Sequence, residues 1–186
     1  FTILYMLTIL LMEKKDKEIY KGLSDTDALT GLFNRRAFQA AVDETLLKRI
    51  AGIFIFIDVD NFKDYNDKYG HANGDLCLKH FAATMKKCFP KDSILGRYGG
   101  DEFVVYIKNA ASDDAHRYMD EFQREISHLI MAGGEHVTVS ASAGGVAFIG
   151  EGEDFVSLCR SADNMLYDVK RNGKGTFKIK GAKNAC

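Results

Sequence analysis

Short unbroken apolar runs alternate with segments of helical period along this chain, and together they lay out most of a fold. Ile53-Phe54-Ile55-Phe56-Ile57 is an apolar run of strand length, predicting a strand from Ile53 to Asp58 that is covered on both faces. Upstream, Ala37, Phe38, Ala41, Val42, Thr45 and Leu46 recur with helical period. Downstream, Leu76, Leu78, Phe81, Ala82 and Met85 predict the inward face of a helix from Gly74 to Cys88, ended by Pro90, the only proline. Ser93-Ile94-Leu95 and Phe103-Val104-Val105-Tyr106-Ile107 flank Gly99-Gly100 and predict a hairpin over Ser93 to Lys108. A further helix is predicted from Asp113 to Ile130, with Tyr118, Phe122, Ile126 and Leu129 inward. Alternation from Val137 to Gly144 predicts a strand that can continue to Phe148. An amphipathic helix over Asp154 to Lys170 and an edge strand over Thr176 to Lys180 complete the pattern. Helices alternating with strands around a hairpin predict an α/β sandwich with a mixed sheet.

The first residues break this pattern. Phe1 to Met12 carries no charge and is apolar all round, but is shorter than the roughly 20 residues a bilayer span needs. The following Glu13-Lys14-Lys15-Asp16-Lys17 resembles the cytoplasmic flank of a membrane helix. Two readings stand side by side: the end of a membrane or signalling helix, and a helix buried against a partner chain. Either way residues 1–22 read as an extension, joined to an upstream sensor or anchor.

Composition narrows the class. The chain has 186 residues, 46% apolar and 27% charged, values ordinary for one water-soluble globular domain plus an extension. A formal net charge of −1 leaves no electrostatic footprint for DNA or RNA, so a nucleotide partner would be a small ligand. Cys77, Cys88, Cys159 and Cys186 form no Cys-x-x-Cys pair, which argues for a reducing cytosol and against a zinc site.

Two acidic segments carry candidate chemistry. Arg97-Tyr98-Gly99-Gly100-Asp101-Glu102-Phe103 places two glycines before adjacent carboxylates at a predicted turn, where oxygen ligands suit a hard cation such as Mg²⁺ and the backbone admits a phosphate. Asp58 follows the last apolar residue of the predicted central strand, where α/β sheets commonly place ligands. Either Asp60 or Asn61 can cap the helix that follows; capping does not account for Asp58. Convergence of Asp58 and Asp101 would give a carboxylate clamp for attack on a phosphate.

These segments resemble the GGDEF domain, the diguanylate cyclase family, from Asp25 to about Lys180. Asp27-Ala28-Leu29-Thr30-Gly31-Leu32-Phe33-Asn34-Arg35-Arg36 is similar to its opening signature, Asp58 through Asp75 to its nucleotide motif, Arg97 through Phe103 to its name-giving hairpin, and Ala162-Asp163 through Lys170 to its closing helix. The resemblance implies a polymerase-palm-like α+β fold, with a mostly antiparallel central sheet flanked by helices behind an N-terminal extension helix. It divides the chain into residues 1–22, a catalytic domain over 23–180 and a tail over 181–186. It implies condensation of two GTP into cyclic di-GMP with release of pyrophosphate by a homodimer, in a cytoplasmic domain of a protein that can be anchored in the inner membrane.

Residue by residue, the resemblance makes Asp58, Asp101 and the Val59 carbonyl ligands of Mg²⁺ or Mn²⁺, with Glu102 close by. Asp101 or Glu102 would help deprotonate the attacking hydroxyl. Asn66 and Asp75 match the guanine-reading pair, and His71 lies near the same pocket. Gly99 and Gly100 would admit the phosphates, Lys170 and Lys174 would reach the terminal ones, and Lys63 is a weaker phosphate candidate. Lys174 stands where the family often has Arg, keeping the charge but losing the planar fork. Pro90 and Ser93 stand where many members carry an Arg-x-x-Asp product-inhibition site, so feedback through that site is not expected. The alternative function is a non-catalytic receptor for GTP or cyclic di-GMP; such receptors usually lose a hairpin acid, and here Asp58, Asp101 and Glu102 are all present.

Overall fold

Ile53 to Ile57 run through the middle of a six-stranded sheet, with neighbours on both sides. The structure is a computed structural model and describes residues 25–127, 129–130 and 136–181. The apolar segment Phe1–Met12, its expected extension helix and the tail after residue 181 lie outside the described residues. In chain order the elements are β1 (Phe33–Asn34), α1 (Arg35–Leu47), β2 (Gly52–Val59), α2 (Phe62–Tyr69), α3 (His71–Cys88), β3 (Ile94–Gly99), β4 (Glu102–Lys108), α4 (Ser112–Ile126), β5 (Leu129–Ile130), β6 (His136–Val137), β7 (Ala141–Phe148), α5 (Phe155–Arg171) and β8 (Phe177–Lys180).

The sheet order is β1-β3-β4-β2-β7-β8. Its four central strands pair antiparallel, while the edge strands β1 and β8 pair parallel to β3 and β7. Side-chain alternation sorts β2 between two cores. Ile53, Ile55, Ile57 and Val59 pack with Phe103, Val105 and Ile107 against α3 and α4, through Leu78, Phe81, Met119 and Phe122. Phe54 and Phe56 pack with Val104 and Tyr106 against α1 and α5, through Phe38, Phe155, Leu158 and Leu166. Helices therefore cover both faces, which is why β2 needs no polar alternation although its neighbours are antiparallel. Each of these side chains contributes roughly 1.5–3 kcal/mol on burial.

The structure departs from the sequence pattern at definite places. The helix expected from Asp113 to Ile130 stops at Ile126, where the Ser127 hydroxyl donates to the Arg124 carbonyl at 2.7 Å. Leu129–Ile130 pairs instead with His136–Val137 in a separate two-stranded sheet. Ala115 and Met119, beside Phe122 and Ile126, form the buried stripe of α4, with Tyr118 on its margin. The strand expected from Val137 onward is interrupted over Thr138–Ser140. The Ser140 carbonyl still accepts from the Asp60 amide at 2.9 Å, in register with the β2–β7 pairing. α3 begins at His71 rather than Gly74, and Leu76 is exposed on its outer side. Asp60 does not cap α2: its carboxylate is buried among Ser140, Ser142 and Gly175. Asn61 holds the N-cap position with no capping hydrogen bond from its side chain.

Candidate active site

Strand register assembles the acidic cluster. Asp58 lies directly opposite Glu102 on β4 and opposite Ser142 on β7, so the three residues form a row across adjacent strands. The alternation that turns Phe54 and Phe56 toward α5 places this row on the same side of the sheet. Asp101 precedes Glu102 in the β3–β4 turn, and its carbonyl accepts from the Val59 amide at 3.2 Å. Gly100 makes that turn possible with φ of +44°, and a β-bulge between Arg97 and Gly99 re-aims the strand end. Arg97 locks the turn from behind: its Nε and Nη2 donate to the Gly100 carbonyl at 2.9 and 2.7 Å, and its Nη1 donates to Asp27 at 3.1 Å.

The cluster is electrostatically loaded. Burial pushes the Asp58 carboxyl above its ordinary value, Lys170 partly offsets that, and Asp101 and Asp60 raise it further. Glu102 is raised by burial first, then by Asp58 and Asp101, against a lowering contribution from Lys170. The Lys170 Nζ, in the last turn of α5, lies 2.8 Å from Asp58 Oδ2. Asp27 behaves oppositely: burial would raise it, but the Thr30 hydroxyl and amide and the Arg97 guanidinium outweigh burial and hold it below the usual carboxylate range.

Fit to a divalent cation follows from these donors. Among the described residues, no three acid, His or Cys side chains close on a point as a complete protein cage. Mg²⁺ commonly takes one or two carboxylates and completes its shell with water and substrate phosphate oxygens. Asp58 already attracts a cation, the Lys170 ammonium, and two further carboxylates raise the local negative potential. The residues present fit a hard cation of that kind.

Comparison with known proteins places this arrangement. The family described as "Diguanylate cyclase, GGDEF domain" matches residues 24–176. The chain belongs to the GGDEF-domain family. A diguanylate cyclase of Vibrio cholerae serotype O1 is 34% identical over 164 residues, covering 85% of this chain and 50% of that protein. The cyclic di-GMP phosphodiesterase PdeR of Escherichia coli is 31% identical over 170 residues, covering 90% of this chain and 26% of that protein. The chain thus spans half or less of the length of these curated relatives. The GGDEF domain of DgcB from Caulobacter crescentus, solved in complex with c-di-GMP, matches with a TM-score of 0.77 at 27% identity, over 84% of this chain and 96% of that one. The palm-like, mostly antiparallel sheet expected from the sequence is the fold found.

Within the GGDEF domain, the remaining sequence-derived positions fall at several places. Asn66 on α2 abuts Gly74 on α3, next to Asp75. A Cβ at Gly74 would land on Asn66 Oδ1, so the glycine is what lets the two helices close there. Asn66 Oδ1 is buried without a hydrogen-bond partner, while Asp75 and His71 are exposed on the first turns of α3. No hydrogen bond or ion pair among the described residues joins His71 or Lys63 to the acidic cluster. Lys174, with φ of +59°, donates from Nζ to Asn61 Oδ1 at 2.8 Å. Pro90 and Ser93 form a tight turn, with the Ser93 amide donating to the Pro90 carbonyl at 3.0 Å.

Sequence reasoning missed three relationships: the Lys170–Asp58 pair, the Arg97–Asp27 brace and the burial of Asp60. One signal pointed to the last. Ser140 and Ser142 interrupt an otherwise apolar strand, and a buried hydroxyl requires a partner.

Proposed function

We propose that this GGDEF domain is a diguanylate cyclase, condensing two GTP into cyclic di-GMP with release of pyrophosphate. The observation that carries this reading is the row of Asp58 opposite Glu102 with Asp101 at the adjoining turn, all three acids present and Asp58 and Asp101 both raising the Glu102 carboxyl. The names of its relatives and the c-di-GMP bound by DgcB support the same reading.

Each 3′-hydroxyl would attack the α-phosphorus of the other GTP, forming a P–O bond as the bond to pyrophosphate breaks. Asp58, Asp101 and the Val59 carbonyl would hold Mg²⁺ or Mn²⁺, which when bound neutralises charge on phosphoryl oxygens. Asp101 or Glu102 takes the hydroxyl proton; burial raises the Glu102 carboxyl, which favours its accepting a proton. Asn66 and Asp75 read guanine. The Asp75 carboxylate accepts from N1–H and the exocyclic amine, whereas adenine presents an acceptor at N1 and is repelled. The unpartnered Asn66 oxygen supports this assignment, since a buried acceptor without a donor suits a base edge. Gly99 and Gly100 admit the phosphates, while Lys170, Lys174 and, more weakly, Lys63 meet their charge. One domain binds one GTP, so the product requires two domains facing each other as a homodimer.

A second reading, a regulatory receptor without turnover, is favoured by one observation: this module also lies within PdeR, a protein named for phosphodiesterase activity. Incubation with GTP and Mg²⁺ followed by chromatography separates the two. The cyclase reading expects cyclic di-GMP and pyrophosphate; bound but unconverted GTP in a dimeric sample supports the receptor.

A further inference from the structure

Asp60 is buried to 9% exposure, two residues beyond the acidic row, yet it is committed to other partners. Its Oδ1 accepts from the Ser142 hydroxyl at 2.7 Å, and its Oδ2 from the Ser140 hydroxyl at 2.8 Å and the Gly175 amide at 3.0 Å. The Gly175 amide also lies 3.2 Å from the Ser142 hydroxyl, and the Asp60 amide donates to the Ser140 carbonyl. One carboxylate thus ties the end of β2 to β7 and to the turn after α5.

The two ends of that turn are tied as well: Asn172 Nδ2 donates to the Asp168 carbonyl at 2.8 Å, and the Thr176 carbonyl accepts from the Ala143 amide at 3.0 Å. Residues Asn172 to Gly175 are all exposed, and Lys174 sits in the left-handed region, which is strained for a non-glycine residue. Its amide reaches the Val169 carbonyl only at 3.3 Å, and its ammonium bonds Asn61, the residue after Asp60. The bond from Gly175 to the buried carboxylate anchors the backbone directly after the strained residue, and a carboxylate acceptor strengthens it.

We propose that Asp60 is a positioning residue: its buried carboxylate clamps the Asn172–Gly175 turn so that Lys174 is presented to the polyphosphate of bound GTP. The claim rests on the cyclase or receptor reading only for the identity of the ligand. Asp60 touches no ligand itself and acts through Lys174. Asp60→Asn keeps the shape, but its amide group turns a donor toward at least one of the Gly175 amide and the two hydroxyls. The hydroxyls can rotate; the amide of Gly175 cannot reverse.

The test uses the 186-residue chain at Mg²⁺ concentrations that saturate each variant. Binding is titrated with a GTP analogue carrying a methylene bridge between the α- and β-phosphates, and with GMP, and amide exchange is followed over residues 172–176. D60N is expected to weaken the analogue about tenfold, GMP by less than about twofold, and to speed exchange of the turn. In a Lys174→Ala background, D60N is expected to add less than about twofold, because its effect passes through that lysine. Equal weakening of GMP and the analogue, a full effect of D60N on top of Lys174→Ala, or unchanged exchange would each overturn the proposal. Ser142→Ala, which deletes one donor and keeps the carboxylate, carries the same measurements if D60N does not fold. Should the parent chain bind no analogue, the nucleotide reading fails; exchange in D60N and Ser142→Ala then decides the clamp alone, faster supporting it and unchanged overturning it.

Discussion

Lys170 and Asp58 form a 2.8 Å ion pair between the last turn of α5 and the end of β2, beside two further carboxylates. The lysine supplies the positive charge that the acidic row needs when no divalent cation is bound. Lys170→Gln is expected to lower thermal stability in the presence of a chelator, by about 1 kcal/mol after discounting for partial exposure. Saturating Mg²⁺ should then stabilise the variant more than the parent. Melting curves with and without Mg²⁺ check this; an equal Mg²⁺ increment in both proteins would show that Lys170 does not compensate this charge.

Glu102 gives a pH-dependent expectation. Burial, then Asp58 and Asp101, raise its carboxyl, so the folded state keeps the proton to higher pH than the unfolded chain does. Stability contributed by the protonated form is present below the ordinary glutamate range and is lost as pH rises through the raised value. Glu102→Gln should therefore melt higher than the parent near pH 7 without divalent cation, with the gap closing toward pH 4, while turnover falls. A variant melting below the parent at pH 7 would contradict the assigned charge repulsion.

The proposed guanine-reading pair, Asn66 and Asp75, makes a selectivity prediction. Asp75→Ala should weaken GTP binding about tenfold or more, since the base loses a charged acceptor, while triphosphate contacts persist. Competition titrations of GTP against ATP check it. Equal competition by ATP against the parent would remove Asn66 and Asp75 from base recognition.

How much of this was legible in the sequence depended on whether a feature was local. The β2 run and the Gly99-Gly100 turn declare themselves within a few residues, and both stand where expected. Once β2 and β4 are neighbours, their register sets Asp58 opposite Glu102. The end of α4 was not legible: helical spacing through Leu129 mimics a continued stripe, and only pairing with His136–Val137 selects a strand. Of the two cap candidates, Asn61 takes the N-cap position, and the role of Asp60 was hidden because its partners lie 80 to 115 residues away. Leu76 looked like core because periodicity fixes a helical face only to within a residue or so, and α3 turns that position outward.

The proposed homodimer has its own test. Removing residues before Leu23 should leave a folded domain whose specific activity rises with protein concentration, because a tether to a second domain supplies effective concentration and no catalytic group. Rates per milligram across a dilution series of long and truncated forms check this. Concentration-independent specific activity in the truncated form would mean that the core pairs by itself.

Formation of cyclic di-GMP from GTP and Mg²⁺, compared between the parent chain and Asp101→Asn at equal concentration, addresses the acidic row itself. The parent is expected to form cyclic di-GMP with two pyrophosphates released per product, and the variant to be at least about a hundredfold slower while remaining folded. A dimeric, GTP-loaded parent that forms no product, or an Asp101→Asn variant with the parental rate, would contradict catalysis by Asp58, Asp101 and Glu102.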